Sequence, residues 1–152
     1  MVDPATGKNV DRAEARAEAL VELIDGKNGT VLIPTPVLAE YLVGVERSHH
    51  QQHLDVINGV SCFEIVAFDQ IAAVECARIV DDKELKVLDP EATKAKLRFD
   101  RQIIAIALAN NAGEIWTHDK GLYTKAQQCG LVVKSLADIK PSPEQFEADL
   151  RL

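Results

Sequence analysis

The chain has 152 residues, enough for one hydrophobic core, and its 47% hydrophobic and 27% charged residues are ordinary for a folded globular protein. A formal net charge of −7 argues against a protein that grips nucleic acid through a broad basic face. It suits a cation-binding carboxylate cluster or a surface that meets a basic partner.

No apolar run approaches the ~20 residues that cross a bilayer, and the stretch after Met1 is polar rather than leader-like. Cys62, Cys76 and Cys129 are scattered, with no CxxC pair or Cys/His cluster. The expectation is a cytoplasmic protein with reduced, partly buried thiols, no zinc–thiolate site and no membrane contact.

Ala13, Ala17, Leu20, Val21 and Ile24 recur at helical spacing and predict a helix over 11–24, broken by Asp25-Gly26 and Asn28-Gly29. Residues 31–33 read as a short buried strand. Thr35-Pro36 opens a helix with a hydroxyl cap and proline at its first position, and Val37, Leu38, Tyr41 and Leu42 form its apolar face. A further helix is predicted over 48–57, ended by Asn58-Gly59. Residues 63–68 form a second strand. Asp69 caps the next helix, which turns a small-residue face of Ala72, Ala73, Cys76, Ala77 and Val80 inward. Residues 81–91, with Asp89-Pro90, read as a charged loop. A helix runs from Asp100 to about Asn111 with Ile103, Ile104, Ala107 and Leu108 on one side, and Gly113 closes it. Residues 114–117 and 131–133 are the third and fourth strands, separated by a helix ending at Gly130. The division is one domain over 1–140 and a polar, loosely held tail over 141–152.

Strands alternating with helices imply an α/β fold with a parallel sheet and helices on both faces. In such folds functional residues gather beyond the carboxyl ends of strands. Glu40 lies one turn into the helix that follows the first strand. Asp100 follows Lys94, Lys96 and Arg98 and precedes Arg101. Asp119 comes just after the third strand. Each also has a plain reading: Glu40 as a solvated helix residue, Asp100 as a helix cap, Asp119 as a cap or turn residue before Lys120-Gly121. Their combination carries the chemistry. His49, His50 and His53 lack an HExxH pattern and read as a polar helix face, although His49 and His53 share i, i+4 spacing. His118 could touch substrate or simply end the strand in solvent. The four cations around Asp100 could receive phosphates or form a solvated helix start.

Three stretches resemble one family. Residues 33–40 (IPTPVLAE) resemble the second acidic motif of PIN domains, residues 99–107 (FDRQIIAIA) the third, and residues 114–119 (EIWTHD) the fourth, in the same order and rough spacing. The resemblance covers about residues 10–139. It implies a three-layer α/β/α fold and metal-dependent RNA cleavage of the kind found in VapC toxin ribonucleases. Asp100 and Asp119 would be the main ligands of Mg²⁺ or Mn²⁺, which take hard carboxylate oxygens. Glu40 would bind metal directly or through water and might also orient the attacking water, and Thr117 would steady a carboxylate or a metal-bound water. RNA as substrate, an antitoxin protein and a homodimer are the implied partners.

The chain departs from the family at its start. PIN domains carry a first acidic motif, an Asp ending the opening central strand; here only Met1-Val2 precede Asp3, and Pro4-Ala5-Thr6-Gly7 follow. Two residues are too few for a buried strand. The expectation is that the central strand is missing, that Asp3 lies in a loop rather than acting as the first ligand, and that the chain starts late or is truncated. The rival function is a degenerate PIN module that binds RNA or a partner without cutting. Another Mg²⁺-dependent phosphate-handling enzyme finds no support, since no phosphate-cradling glycine loop or DxD nucleophile is present.

Overall fold

In chain order the helices are α1 (Ala13–Gly26), α2 (Thr35–Val43), α3 (His50–Gly59), α4 (Gln70–Arg78), α5 (Asp82–Leu88), α6 (Lys94–Ala109) and α7 (Lys120–Gln128). The strands are β1 (Val31–Pro34), β2 (Phe63–Val66), β3 (Glu114–Trp116) and β4 (Val132–Lys134). The computed structural model describes residues 1–79 and 81–141. Val80 of the expected small-residue face and the tail after Pro141 lie outside them. No helix among the described residues is long and apolar enough to cross a membrane.

The chain forms two compact units, Thr30–Gly113 and a second made of Met1–Gly29 with the residues from Glu114 onward. The strands pair within each unit, giving two parallel two-stranded sheets, β1 with β2 and β3 with β4, where the sequence suggested one sheet. Parallel strands joined through helices make each unit α/β.

In the unit Thr30–Gly113, Val31 pairs with Phe63, Ile33 with Ile65, and Pro34 with Val66. Pro34 has no N–H to give the ladder, so the strand stops there. The turn into α2 comes one residue earlier than expected. Pro34 takes the cap position in extended geometry (φ −65°, ψ 136°), and Thr35 is already helical and makes no side-chain cap. Val66, Ala72 and Ile106 are buried together, with Leu32, Phe68 and Ala109 packed on them. Ala72 is small enough to let α4 lie close on α6. Asp69 caps α4 as expected, accepting from the Ala72 N–H at 2.9 Å.

Two corrections follow in the same unit. Residues 82–88, read as loop, are helix α5. Asp81 and Glu84 form a reciprocal capping box, with bonds of 3.0 and 3.2 Å, and wholly buried Leu85 packs with Leu88, Ala92 and Leu97. Helix α6 begins at Lys94, not at Asp100, because the Thr93 hydroxyl accepts from the Lys96 N–H at 3.1 Å and starts it a turn and a half earlier. Its far end is also different. Asn111, with φ 52°, takes the left-handed position expected of Gly113.

In the other unit Glu114 pairs with Val132, Ile115 with Val133 and Trp116 with Lys134. Gly130, with φ 83°, makes the turn out of α7. Helix α1 packs on the 3-10 turn Leu136–Asp138, and Arg16 Nη1 donates to the Ile139 carbonyl at 2.5 Å. Near the amino terminus Val2 and Asn9 form an isolated antiparallel bridge. Asp3 lies in the loop between them.

Candidate active site

Asp100 occupies the inward stripe of α6 with Leu97, Ile103, Ile104 and Ala107, and it is wholly buried. Lys96, one turn earlier, places Nζ 2.5 Å from Asp100 Oδ1. A buried carboxylate demands such a partner, since an uncompensated charge in the interior costs several kcal/mol. Lys96 also lies 5.9 Å from the centre of the Phe99 ring. From the sequence Lys96 reads as a phosphate contact or as part of a solvated helix start; its bond to Asp100 is neither, although the i, i+4 spacing announces it. Lys94 and Arg98 are exposed, and Arg101 is half-buried.

Glu40 is exposed on α2. That helix packs against both β1 and α6, so Glu40 and Asp100 ride on neighbouring helices of one unit.

Asp119 belongs to the other unit, where it is the N-cap of α7 and accepts from the Leu122 N–H at 2.8 Å. Its own N–H donates to Thr117 Oγ1 at 3.1 Å, while the Thr117 N–H extends the β3–β4 ladder to the Lys134 carbonyl at 2.9 Å. The strand end therefore holds Thr117, and Thr117 holds the turn that presents Asp119. The cap reading of Asp119 is correct. It leaves the residue exposed with its carboxylate oriented at the positive end of a helix, a place that favours anions.

His118 does not point idly into solvent. Its Nδ1 meets the Val2 carbonyl at 2.8 Å and its Nε2 accepts from the Leu136 N–H at 3.0 Å. A carbonyl needs a donor and an N–H needs an acceptor, so the ring is the neutral Nδ1–H tautomer, engaged on both sides. Sequence reading also passed over the surroundings of Asp3. Its carboxylate accepts from Thr6 Oγ1 at 2.7 Å and Ser135 Oγ at 2.8 Å, and those two hydroxyls hold it below the usual carboxylate range.

The histidines after Arg47 bond separately. His50 Nε2 meets the Val45 carbonyl at 2.9 Å, and His53 Nδ1 meets the Tyr41 hydroxyl at 2.6 Å. Burial pushes the Cys129 thiol up, which disfavours its reactive thiolate, and none of the three cysteines forms a disulfide. Among the described residues, no three His, Cys, Asp or Glu side chains stand close enough to hold a metal ion.

Comparison with curated proteins gives no match. The family comparison is decisive: the PIN domain model matches residues 9–127, a span that takes in Glu40, Asp100, Thr117 and Asp119. Matched over most of its length, the chain belongs to the PIN domain family, whose members are generally nucleases.

Proposed function

We propose that this chain is a Mg²⁺- or Mn²⁺-dependent ribonuclease, the toxin of a VapC-like toxin–antitoxin pair, with Glu40, Asp100 and Asp119 as its metal-binding and catalytic carboxylates. The observation that carries the reading is Asp100, a carboxylate with no solvent contact in the middle of an otherwise apolar helix stripe. Well-packed apolar residues usually serve stability as well or better than a buried ion pair. An acid kept there, in a chain of nuclease family, has a chemical reason to stay.

The donor set fits a hard divalent cation, being carboxylate oxygen throughout. Asp100 already holds a cationic partner, and the Lys96 side chain, 34% exposed, has solvent into which its ammonium can swing. A bound Mg²⁺ would supply charge stabilisation at the scissile phosphate and a water of lowered pKa. The contributions of the chain itself are positional. The Leu122 N–H and the Thr117 hydroxyl orient Asp119, the α6 stripe holds Asp100 still, and Glu40 orients the attacking water. Lys94, Arg98 and Arg101 offer cations to RNA phosphates.

The family supports the rest of the reading. It comprises a three-layer α/β/α PIN domain over 1–140, a cytoplasmic setting, self-association and capture of an antitoxin. Val37, Tyr41 and Val43, exposed on α2, support a contact face there, beside Leu42 and Val45.

One observation favours a second reading, a PIN module that binds RNA or a partner without cutting. No three acidic or histidine side chains gather among the described residues. Calorimetric titration of the full chain with Mn²⁺ separates the two. The nuclease reading expects saturable binding that weakens in Asp100→Asn and in Asp119→Asn. No binding in the unmodified chain, together with retained RNA binding, supports the second reading.

A further inference from the structure

Helix α6 opens on cations. Lys94 and Lys96 fall in its first turn, which holds no acidic residue. The amino end of a helix carries partial positive charge, so a lysine there is disfavoured, and a pair with the lysine ahead of the acid is the weaker of the two orders. Helix stability therefore gives Lys96 no reason to sit one turn before Asp100. What the position does provide is an ammonium on Asp100 Oδ1, at 2.5 Å. Of the two side chains only that of Lys96 meets solvent, 34% exposed against 0% for Asp100. The Lys96 backbone is fixed independently, its N–H donating to the Thr93 hydroxyl at 3.1 Å. The side chain can thus leave Asp100 by rotation about its own bonds, with α6 unmoved. Nζ also lies over the Phe99 ring, 5.9 Å from its centre, and the negative ring face gives the ammonium a second attraction.

We propose that Lys96 is a tethered counter-ion that competes with the divalent cation for Asp100, an autoinhibitory contact that metal must displace. The proposal rests on the reading of Asp100 as a metal ligand. An ammonium and a divalent cation on one carboxylate oxygen repel each other, and the coupling is reciprocal, so each weakens the hold of the other. Without metal, the ammonium offsets the charge of a carboxylate that has no solvent contact. With metal, Lys96 turns out to water. The metal affinity is lowered by the fraction of time the ammonium is seated. Lysine suits such an exchange better than arginine. Its ammonium is a compact, strongly hydrated point charge on a flexible stem, whereas a guanidinium grips a carboxylate with two bonds.

The experiment titrates the full chain with Mn²⁺ by calorimetry, beside Lys96→Met, Lys96→Arg and Asp100→Asn, with far-UV circular dichroism and a metal-free denaturation curve on each as the check on folding. Lys96→Met should be less stable without metal and bind Mn²⁺ roughly tenfold more tightly, the ratio expected when the ammonium is seated about nine-tenths of the time. Lys96→Arg should keep the metal-free stability and bind Mn²⁺ several-fold more weakly. In the unmodified chain, nitrogen-15 spectra should show the Lys96 ammonium protons exchanging with water faster as Mg²⁺ is added. If Lys96→Met fails to fold, the Lys96→Arg affinity and the ammonium exchange decide. Mn²⁺ binding that weakens in Asp100→Asn, yet keeps one affinity in the unmodified chain and in both Lys96 variants, would overturn the proposal and leave Asp100 a metal ligand. No Mn²⁺ binding in any of the chains, or binding unaltered by Asp100→Asn, would overturn both.

Discussion

Ser135 donates its hydroxyl to Asp3 across 132 residues of sequence, with 2.8 Å between the two oxygens, and both residues are buried. This bond joins the loop after Val2 to the turn after β4, and neighbouring contacts reinforce it. The Thr6 hydroxyl bonds the other carboxylate oxygen, and His118 links the Val2 carbonyl to the Leu136 N–H. The first acid of the chain thus has structural work to do in its own unit.

That work has a pH signature. The two hydroxyl bonds lower the Asp3 pKa in the folded state below its usual 3.8. The stabilisation is therefore present above the unfolded value and is lost as pH falls through the folded value. Thermal melts of the full chain from pH 6 to pH 2.5 should show stability dropping below roughly pH 4. Asp3→Asn should reduce that dependence while lowering stability at neutral pH. An unchanged acid limb in Asp3→Asn would show that other carboxylates govern it.

The two roles of Asp119 can be separated. Asparagine caps a helix about as well as aspartate, whereas alanine costs about 1 kcal/mol. Asp119→Asn should melt within a few tenths of a kcal/mol of the unmodified chain and lose divalent-metal binding. Asp119→Ala should lose both. Equal destabilisation by the two would mean that the charge, not the bond to Leu122, holds the start of α7.

Lys96→Met removes the ammonium bonded to the wholly buried Asp100. Removing one partner of a buried pair commonly costs 3–5 kcal/mol, and partial exposure of Lys96 lowers the expectation to about 2–3 kcal/mol. If a divalent cation binds at Asp100, millimolar Mn²⁺ should recover part of that loss, because a ligand that binds only the folded state stabilises it. Chemical denaturation with and without Mn²⁺ measures both effects. A destabilised variant indifferent to Mn²⁺ would make Lys96–Asp100 a structural pair alone.

Leu85→Ala tests helix α5. A wholly buried leucine packed on Leu88, Ala92 and Leu97 should cost about 2–5 kcal/mol on truncation. A loss under 0.5 kcal/mol would return residues 82–88 to the loop that composition suggests.

What could be read from sequence was local. Asp69 and Asp119 announce caps because the side chain that accepts and the N–H that donates lie three residues apart. The three PIN stretches each fit inside ten residues. Helix α5 escaped because its apolar residues are few among charges, although the Asp81–Glu84 capping box was there to be read. The start of α6 escaped because its first turns look like a charged loop, and Thr93 alone marks where the backbone turns. The Asp3–Ser135 bond has no local signal. The placement of Glu40, Asp100 and Asp119 relative to one another likewise has no local signal in the sequence.

The most direct test of the account is a cleavage assay. The purified full chain is incubated with labelled single-stranded RNA in Mg²⁺ or Mn²⁺, beside Asp100→Asn, Asp119→Asn and a chelator control. The account predicts metal-dependent cleavage that each substitution lowers by roughly 100-fold or more, with Thr117→Val losing about tenfold. RNA bound but uncut by the unmodified chain at every metal concentration, or cleavage undiminished by Asp100→Asn and Asp119→Asn, would contradict it.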